Sequence, residues 1–137
     1  MEVANIPVPR NAVLARHLPH AEIMPDVAVT VTHAGHGTVA TSLAHGVPMV
    51  CLPNPAADQP ALSTQVQALG AGVALDGEHA TAAEIAAAVH RVLADPSYAA
   101  AARGLAEAIA TAPGVSMAAR QLEQLAHAKV HPSLPER

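Results

Sequence analysis

Apolar residues in this chain fall into short continuous runs that alternate with longer periodic stretches. Val27 to Thr32 is rich in β-branched residues and predicts a strand. Thr38 to His45 predicts a helix, which Gly46 ends. Pro48 to Leu52 and Gly72 to Leu75 predict a second and a third short strand. Between them, Pro60 suits the first position of a helix reaching about Leu69, with Gly70 as its C-terminal cap. Thr81-Ala82-Ala83-Glu84 has the capping-box spacing: the hydroxyl accepts from the third amide and the carboxylate reaches back. The helix it opens carries Ile85, Val89, Val92 and Leu93 on one stripe and stops at Asp95-Pro96. Helices over about Ser97 to Ala110 and Ser116 to Lys129 complete a helical, Ala-rich final third.

The beginning is less regular. Asn11 to Leu18, with Val13, Leu14 and Leu18, reads as a strand that Pro19 ends, and His20 to Pro25 as one helical turn. Pro-punctuated residues 1–10 and the tail 130–137 are expected to be loose around a single domain. Short apolar strands alternating with helices point to an α/β fold, a Rossmann-like parallel sheet with helices on both faces.

Composition narrows the chemistry. With 137 residues, 51% hydrophobic and 13% charged, the chain is long enough for one folded core. It has one Tyr, no Trp and no Phe, so that core is aliphatic and the chain is a poor candidate for stacking nucleic-acid bases. A formal net charge of −4 without a Lys/Arg cluster argues against a nucleic-acid partner. The lone Cys51 sits in an apolar run, which suits a buried small hydrophobe and a reducing, cytoplasmic setting. No basic-then-apolar opening indicates a signal peptide, and no apolar stretch is long enough for a transmembrane helix. His17 with His20, and His33 with His36, have short spacings, but no acid or cysteine completes a zinc pattern, so no metal is expected. A serine-hydrolase reading fails for lack of a Gly-x-Ser-x-Gly elbow. Arg103, Glu107, Arg120 and Glu123 read as solvated pairs on helix faces.

The candidate chemistry lies in the loop His33-Ala34-Gly35-His36-Gly37-Thr38, between the first strong strand and its helix. A helix N-terminus offers unpaired amides and the positive end of a dipole, and so holds anionic phosphate. Gly35 and Gly37 let the backbone approach an anion and adopt positive φ, Thr38 can cap the helix, and His33 can donate to a phosphate oxygen. After the next strand, Asp58 and Gln59 offer oxygen and nitrogen groups suited to sugar hydroxyls, or Asp58 caps the helix at Pro60. Gly35-His36-Gly37-Thr38-Val39-Ala40 also fits the dinucleotide pattern G-x-G-x-x-A, although Leu52-Pro53-Asn54 stands where that pattern expects an acid.

These motifs resemble the C-terminal, donor-binding half of GT-B glycosyltransferases, in the UDP-glycosyltransferase superfamily that includes bacterial macrolide and aglycone glycosyltransferases. The resemblance runs from about Val13 to Leu75 and rests on His33 to Thr38, Gly46 to Pro53, Asp58 to Pro60 and Leu69 to Gly72. It implies a truncated GT-B C-terminal domain in which His33, Gly35, Gly37 and Thr38 bind the donor diphosphate and Asp58 and Gln59 bind the donor sugar. The segment that frames the nucleobase, usually aromatic-x-Pro-Gln, reads His17-Leu18-Pro19-His20 here. Thr41 stands where plant members place a ribose-binding Glu, and Leu62 replaces a common Asn.

The resemblance implies a hexosyltransferase-type enzyme part. It binds a UDP- or dTDP-linked sugar as substrate, uses no cofactor, and passes the sugar to an acceptor hydroxyl. No catalytic residue is assignable in this chain, so an acceptor-binding partner half or a homo-oligomer is expected, and the isolated chain is expected to be inactive. The alternatives are a non-catalytic nucleotide-sugar-binding or assembly module, and a dinucleotide-binding oxidoreductase fragment.

Overall fold

The computed structural model describes residues 7–55 and 58–128. The element order is α1 (His20–Ile23), a 3-10 turn (Met24–Asp26), β1 (Thr30–Thr32), α2 (His36–Ala44), β2 (Met49–Cys51), α3 (Gln59–Ala68), β3 (Gly72–Ala74), α4 (Ala82–Ala94), α5 (Pro96–Thr111) and α6 (Val115–Ala128). The three strands form one parallel sheet in the order β1-β2-β3. Val31, Val50 and Val73 share one register row.

The central strand explains why the sheet needs cover on both sides. Side chains alternate along a strand, so Met49 and Cys51 face one way and Val50 the other. Met49 and Cys51 join Ala34, Val39, Val66, Ala71 and Ala102, which come from the β1–α2 turn, α2, α3, the α3–β3 turn and α5. Val50 joins Val73, Ala88, Val92 and Tyr98 beneath α4 and the first turn of α5. Each such burial stabilises by about 1.5–3 kcal/mol for a Val or Met side chain. Cys51 is fully buried, and desolvation pushes its thiol up to about 11. It is a packing residue rather than a nucleophile.

Helix termination follows the sequence signals. Gly46 and Gly70 take φ of 69° and 71° just past α2 and α3, a conformation costly for any residue with a Cβ. The Thr81–Glu84 capping box is present in full, with Glu84 Oε2 accepting from the Thr81 amide at 2.8 Å. Ser42 ties α2 to the sheet: buried on α2, it donates to Thr30 Oγ1 at 3.2 Å on β1.

Four expectations are corrected. Asn11 to Leu18 forms no strand; the segment is irregular and exposed, and Val13 is 92% exposed. Its apolar residues at 13, 14 and 18 lack the period of two that a half-buried strand needs, and no neighbouring strand pairs with it. Helix α2 starts at His36, two residues earlier than the apolar pattern indicated. Leu93 lies off the buried stripe, 51% exposed, and Ala88 takes its place. Arg103, Glu107, Arg120 and Glu123 are exposed, but the ion pair found among the described residues is His79 with Asp76 instead. Residues 1–6 and 130–137, expected to be loose, lie outside the described residues, as does Lys129, the expected end of the last helix.

Candidate functional site

The β1–α2 loop is built by Thr32 and Ala34. Buried Thr32 accepts the Ala34 amide on its hydroxyl at 3.2 Å, and Ala34 takes the left-handed conformation with φ of 63°. The tight turn thus falls on Ala34; Gly35 has φ of −65°, and the positive φ expected at Gly35 and Gly37 is not found there. Gly35 is needed for another reason. A Cβ on it would lie 2.5 Å from His33 Nε2 and 3.3 Å from Cδ2, so the imidazole rests on the bare α carbon. Gly35 thereby fixes where the exposed His33 ring stands, at the carboxyl end of β1.

Gly35 is the N-cap of α2 and supplies no side-chain cap. Thr38 lies inside the first turn, so the cap expected from its hydroxyl is not made. The first intrahelical bond is Val39 N–H to the Gly35 carbonyl, which leaves the amides of His36, Gly37 and Thr38 ahead of the ladder. No acidic side chain occupies this first turn. A Cβ on Gly37 would meet nothing within 4 Å, so packing within the chain does not demand glycine there.

The second loop follows β2. Because β1 and β2 are parallel, both loops leave the same, carboxyl end of the sheet, tied at their base by Leu52 N–H to the Thr32 carbonyl at 2.8 Å. Asp58 immediately precedes α3 and makes no side-chain cap bond, so helix capping does not use its exposed carboxylate. Gln59 is half-buried, and its Oε1 accepts the Asn54 amide at 2.9 Å, closing the loop on itself. Position 52, at the end of β2, is a half-buried leucine, and no carboxylate stands there for a dinucleotide ribose.

The remaining predicted residues lie on α1, on the segment before it and on α2. His20 opens α1, which packs on α2. His17 and Leu18 are exposed in the irregular segment before it. Thr41 lies one turn along α2, and its hydroxyl donates to the Gly37 carbonyl at 2.8 Å. A groove of about 640 Å³ lies at β3 beside Gln67, Glu84, Arg91 and Tyr98 and includes none of the predicted site residues. No group of three His, Cys, Asp or Glu side chains among the described residues is placed to hold a metal ion.

Residues 2–125 match the family model described as erythromycin biosynthesis protein CIII-like, C-terminal domain. The chain belongs to this glycosyltransferase C-terminal domain family. It is 33% identical over 130 residues to 3-alpha-mycarosylerythronolide B desosaminyl transferase of Saccharopolyspora erythraea, covering 95% of this chain and 30% of that protein. It is 34% identical over 94 residues to UDP-glucosyltransferase B1 of Starmerella bombicola, covering 69% of this chain and 22% of that one. The structure of Streptomyces sp. SF2575 glycosyltransferase SsfS6, complexed with thymidine diphosphate, superimposes with a TM-score of 0.73 at 36% identity, over 85% of this chain and 31% of that one. This glycosyltransferase C-terminal domain thus spans about a fifth to a third of the length of the relatives it matches. The GT-B kinship and the parallel α/β fold read from the sequence are both established by these matches.

Proposed function

We infer that this chain is the donor-binding part of a glycosyltransferase and holds a nucleoside-diphosphate sugar, UDP- or dTDP-linked. The observation that carries the reading is the open, uncapped first turn of α2, with His33 held over Gly35, at the same sheet end as Asp58 and Gln59. His33, Gly35, Gly37 and Thr38 bind the diphosphate: the amides supply fixed donors and His33 a further one. Asp58 and the amide nitrogen of Gln59 take sugar hydroxyls, while Gln59 Oε1 keeps its bond to Asn54. His17, Leu18 and His20 border the base, and Thr41 borders the ribose. That the similar SsfS6 structure is complexed with thymidine diphosphate supports a nucleoside diphosphate as the ligand class.

The reaction is displacement at the anomeric carbon. The acceptor oxygen bonds to that carbon, the bond to the diphosphate breaks, and the acceptor proton passes to a base outside the residues assigned here. This chain contributes electrostatic stabilisation of the departing diphosphate, worth several kcal/mol in enzymes generally. No cofactor or metal is required by this scheme. An acceptor-binding half, as a separate polypeptide or a neighbouring region of a longer chain, completes the enzyme, and the cytoplasm, where nucleotide sugars are made, is the setting. No helix among the described residues is long and apolar enough to cross a membrane.

Thermal-shift measurement with UDP, dTDP, GDP and NAD tests the reading. Stabilisation by UDP or dTDP above that by NAD is the expected outcome. A larger effect of NAD would favour the dinucleotide alternative, and no effect of any nucleotide would remove the donor site.

A further inference from the structure

A third loop at the carboxyl end of the sheet touches the β2–α3 loop and has no role in the scheme above. It runs from Leu75 to Ala80 after β3. Asp76 braces it: Oδ1 accepts the amides of Glu78 at 2.9 Å and His79 at 3.1 Å, and Oδ2 pairs with His79 Nδ1 at 3.1 Å. The Asp76 carbonyl also accepts the Ala80 amide, and Leu75 N–H reaches the Cys51 carbonyl at 2.9 Å. The turn is fixed from within and anchored to β2.

Gly77, at its tip, is pressed against the β2–α3 loop. A Cβ on Gly77 would overlap the Pro53 carbonyl oxygen and lie 2.7 Å from its carbon and 2.8 Å from the Leu52 carbonyl carbon. Its φ is not in the left-handed region, so contact rather than conformation demands glycine. The carbonyl it touches belongs to the Pro53–Asn54 peptide, whose N–H is the one Gln59 Oε1 accepts. That peptide is planar, so displacing its oxygen must turn its N–H. One rigid plane therefore joins Gly77 on one side to Gln59 on the other.

We propose that Gly77, held by Asp76, is a positioning residue that sets the sugar-binding side of the donor site through the Pro53–Asn54 peptide. The inference rests on the donor-site reading above and deepens it: the β1–α2 loop reads the diphosphate, and the Gly77 contact governs the group attached to it. A side chain at 77 has no room unless the Pro53 peptide moves, because Asp76 holds the turn in place. Gln59 then loses its partner or follows it, while His33, Gly35 and the α2 amides, built by Thr32 and Ala34, stay where they are.

The test is calorimetric titration of the parent chain, Gly77→Ala, Asp76→Ala and Asp76→Asn with UDP, UDP-glucose, dTDP and dTDP-glucose. Gly77→Ala is expected to weaken the nucleotide sugar by about tenfold, the scale of one lost hydrogen bond, and to leave the free diphosphate within about twofold. Asp76→Ala, which leaves Gly77 untouched, is expected to give the same split in lesser degree, and Asp76→Asn, which keeps an accepting oxygen, to restore the parent ratio. If Gly77→Ala does not fold, the Asp76 pair decides alone. Sugar and free diphosphate changing together, or neither changing, overturns the inference while leaving the donor site standing. A parent chain that binds none of the four ligands overturns the donor-site reading and this inference with it.

Discussion

The imidazole of His33 lies on the α carbon of Gly35, with Nε2 2.5 Å from where a methyl group would begin. Neighbouring Ala34 absorbs the left-handed turn, so Gly35 is free to serve as a bare platform for the ring. Gly35→Ala is therefore expected to displace His33 without unfolding α2, since φ of −65° suits alanine. Loss of that charge-assisted contact should weaken UDP or dTDP binding by roughly 1.5–3 kcal/mol. A variant that binds as the parent does would show that the ring's position is irrelevant to the ligand.

Helix α4 depends on its capping box. Thr81→Ala removes the acceptor for the Glu84 amide and the hydroxyl bonded to Glu84 Oε2 at 2.7 Å. A loss of about 0.5–2 kcal/mol in denaturant unfolding is expected, because α4 covers Val50 and Val73. No change in the midpoint would mean that water replaces both bonds at no cost.

Acid should loosen the chain before it loses its charge pattern. Asp76 is held below the usual carboxylate range, first by the Glu78 amide and then by His79; Glu84 is lowered by the Thr81 amide and hydroxyl, and Asp95 by Ser97. Each pKa is lower in the folded state, so each carboxylate stabilises above its unfolded value, about 4, and that contribution fades as pH falls through the lower folded value. Chemical denaturation from pH 6 to pH 2.5 should show stability falling with acid, and Glu84→Gln should flatten part of the slope. A stability that rises with acid would contradict the assignment.

Apolar surface is left open in two places. Val31 is 47% exposed on the edge strand β1, and on α6 Leu122 and Leu125 are 68% and 60% exposed. Thr30 donates to the Pro48 carbonyl and Thr32 accepts from Leu52, so the main chain of Val31 points away from β2. The chain alone is expected to self-associate or to need a partner. Light scattering should give a mass above one chain that rises with concentration and falls with Val31→Lys. A constant single-chain mass over a wide concentration range would refute it.

Local signals carried most of the fold. The β-branched run at β1, the glycines after α2 and α3, Pro60 and the Thr81–Glu84 spacing each state a backbone preference that neighbours did not override. Two segments depart from them. Asn11 to Leu18 has strand-forming residues, but its apolar positions lack a period of two and it joins no strand of the sheet. The start of α2 moved because Ala34, not a glycine, took the left-handed turn with Thr32 behind it. Spacing in the sequence singles out His33, Gly35, Asp58 and Gln59, whose loops the structure brings to one end of the sheet. Gly77 was not singled out, although Asp76-Gly77 is a turn signal, because its importance comes from Pro53, 24 positions away in sequence.

Calorimetric titration of the parent chain and His33→Ala with UDP and dTDP tests the central claim most directly. The account predicts saturable binding of at least one of the two nucleotides by the parent, weakened roughly tenfold or more in the variant, with NAD bound more weakly than either. Equal affinities for parent and variant, or preference for NAD, would contradict it.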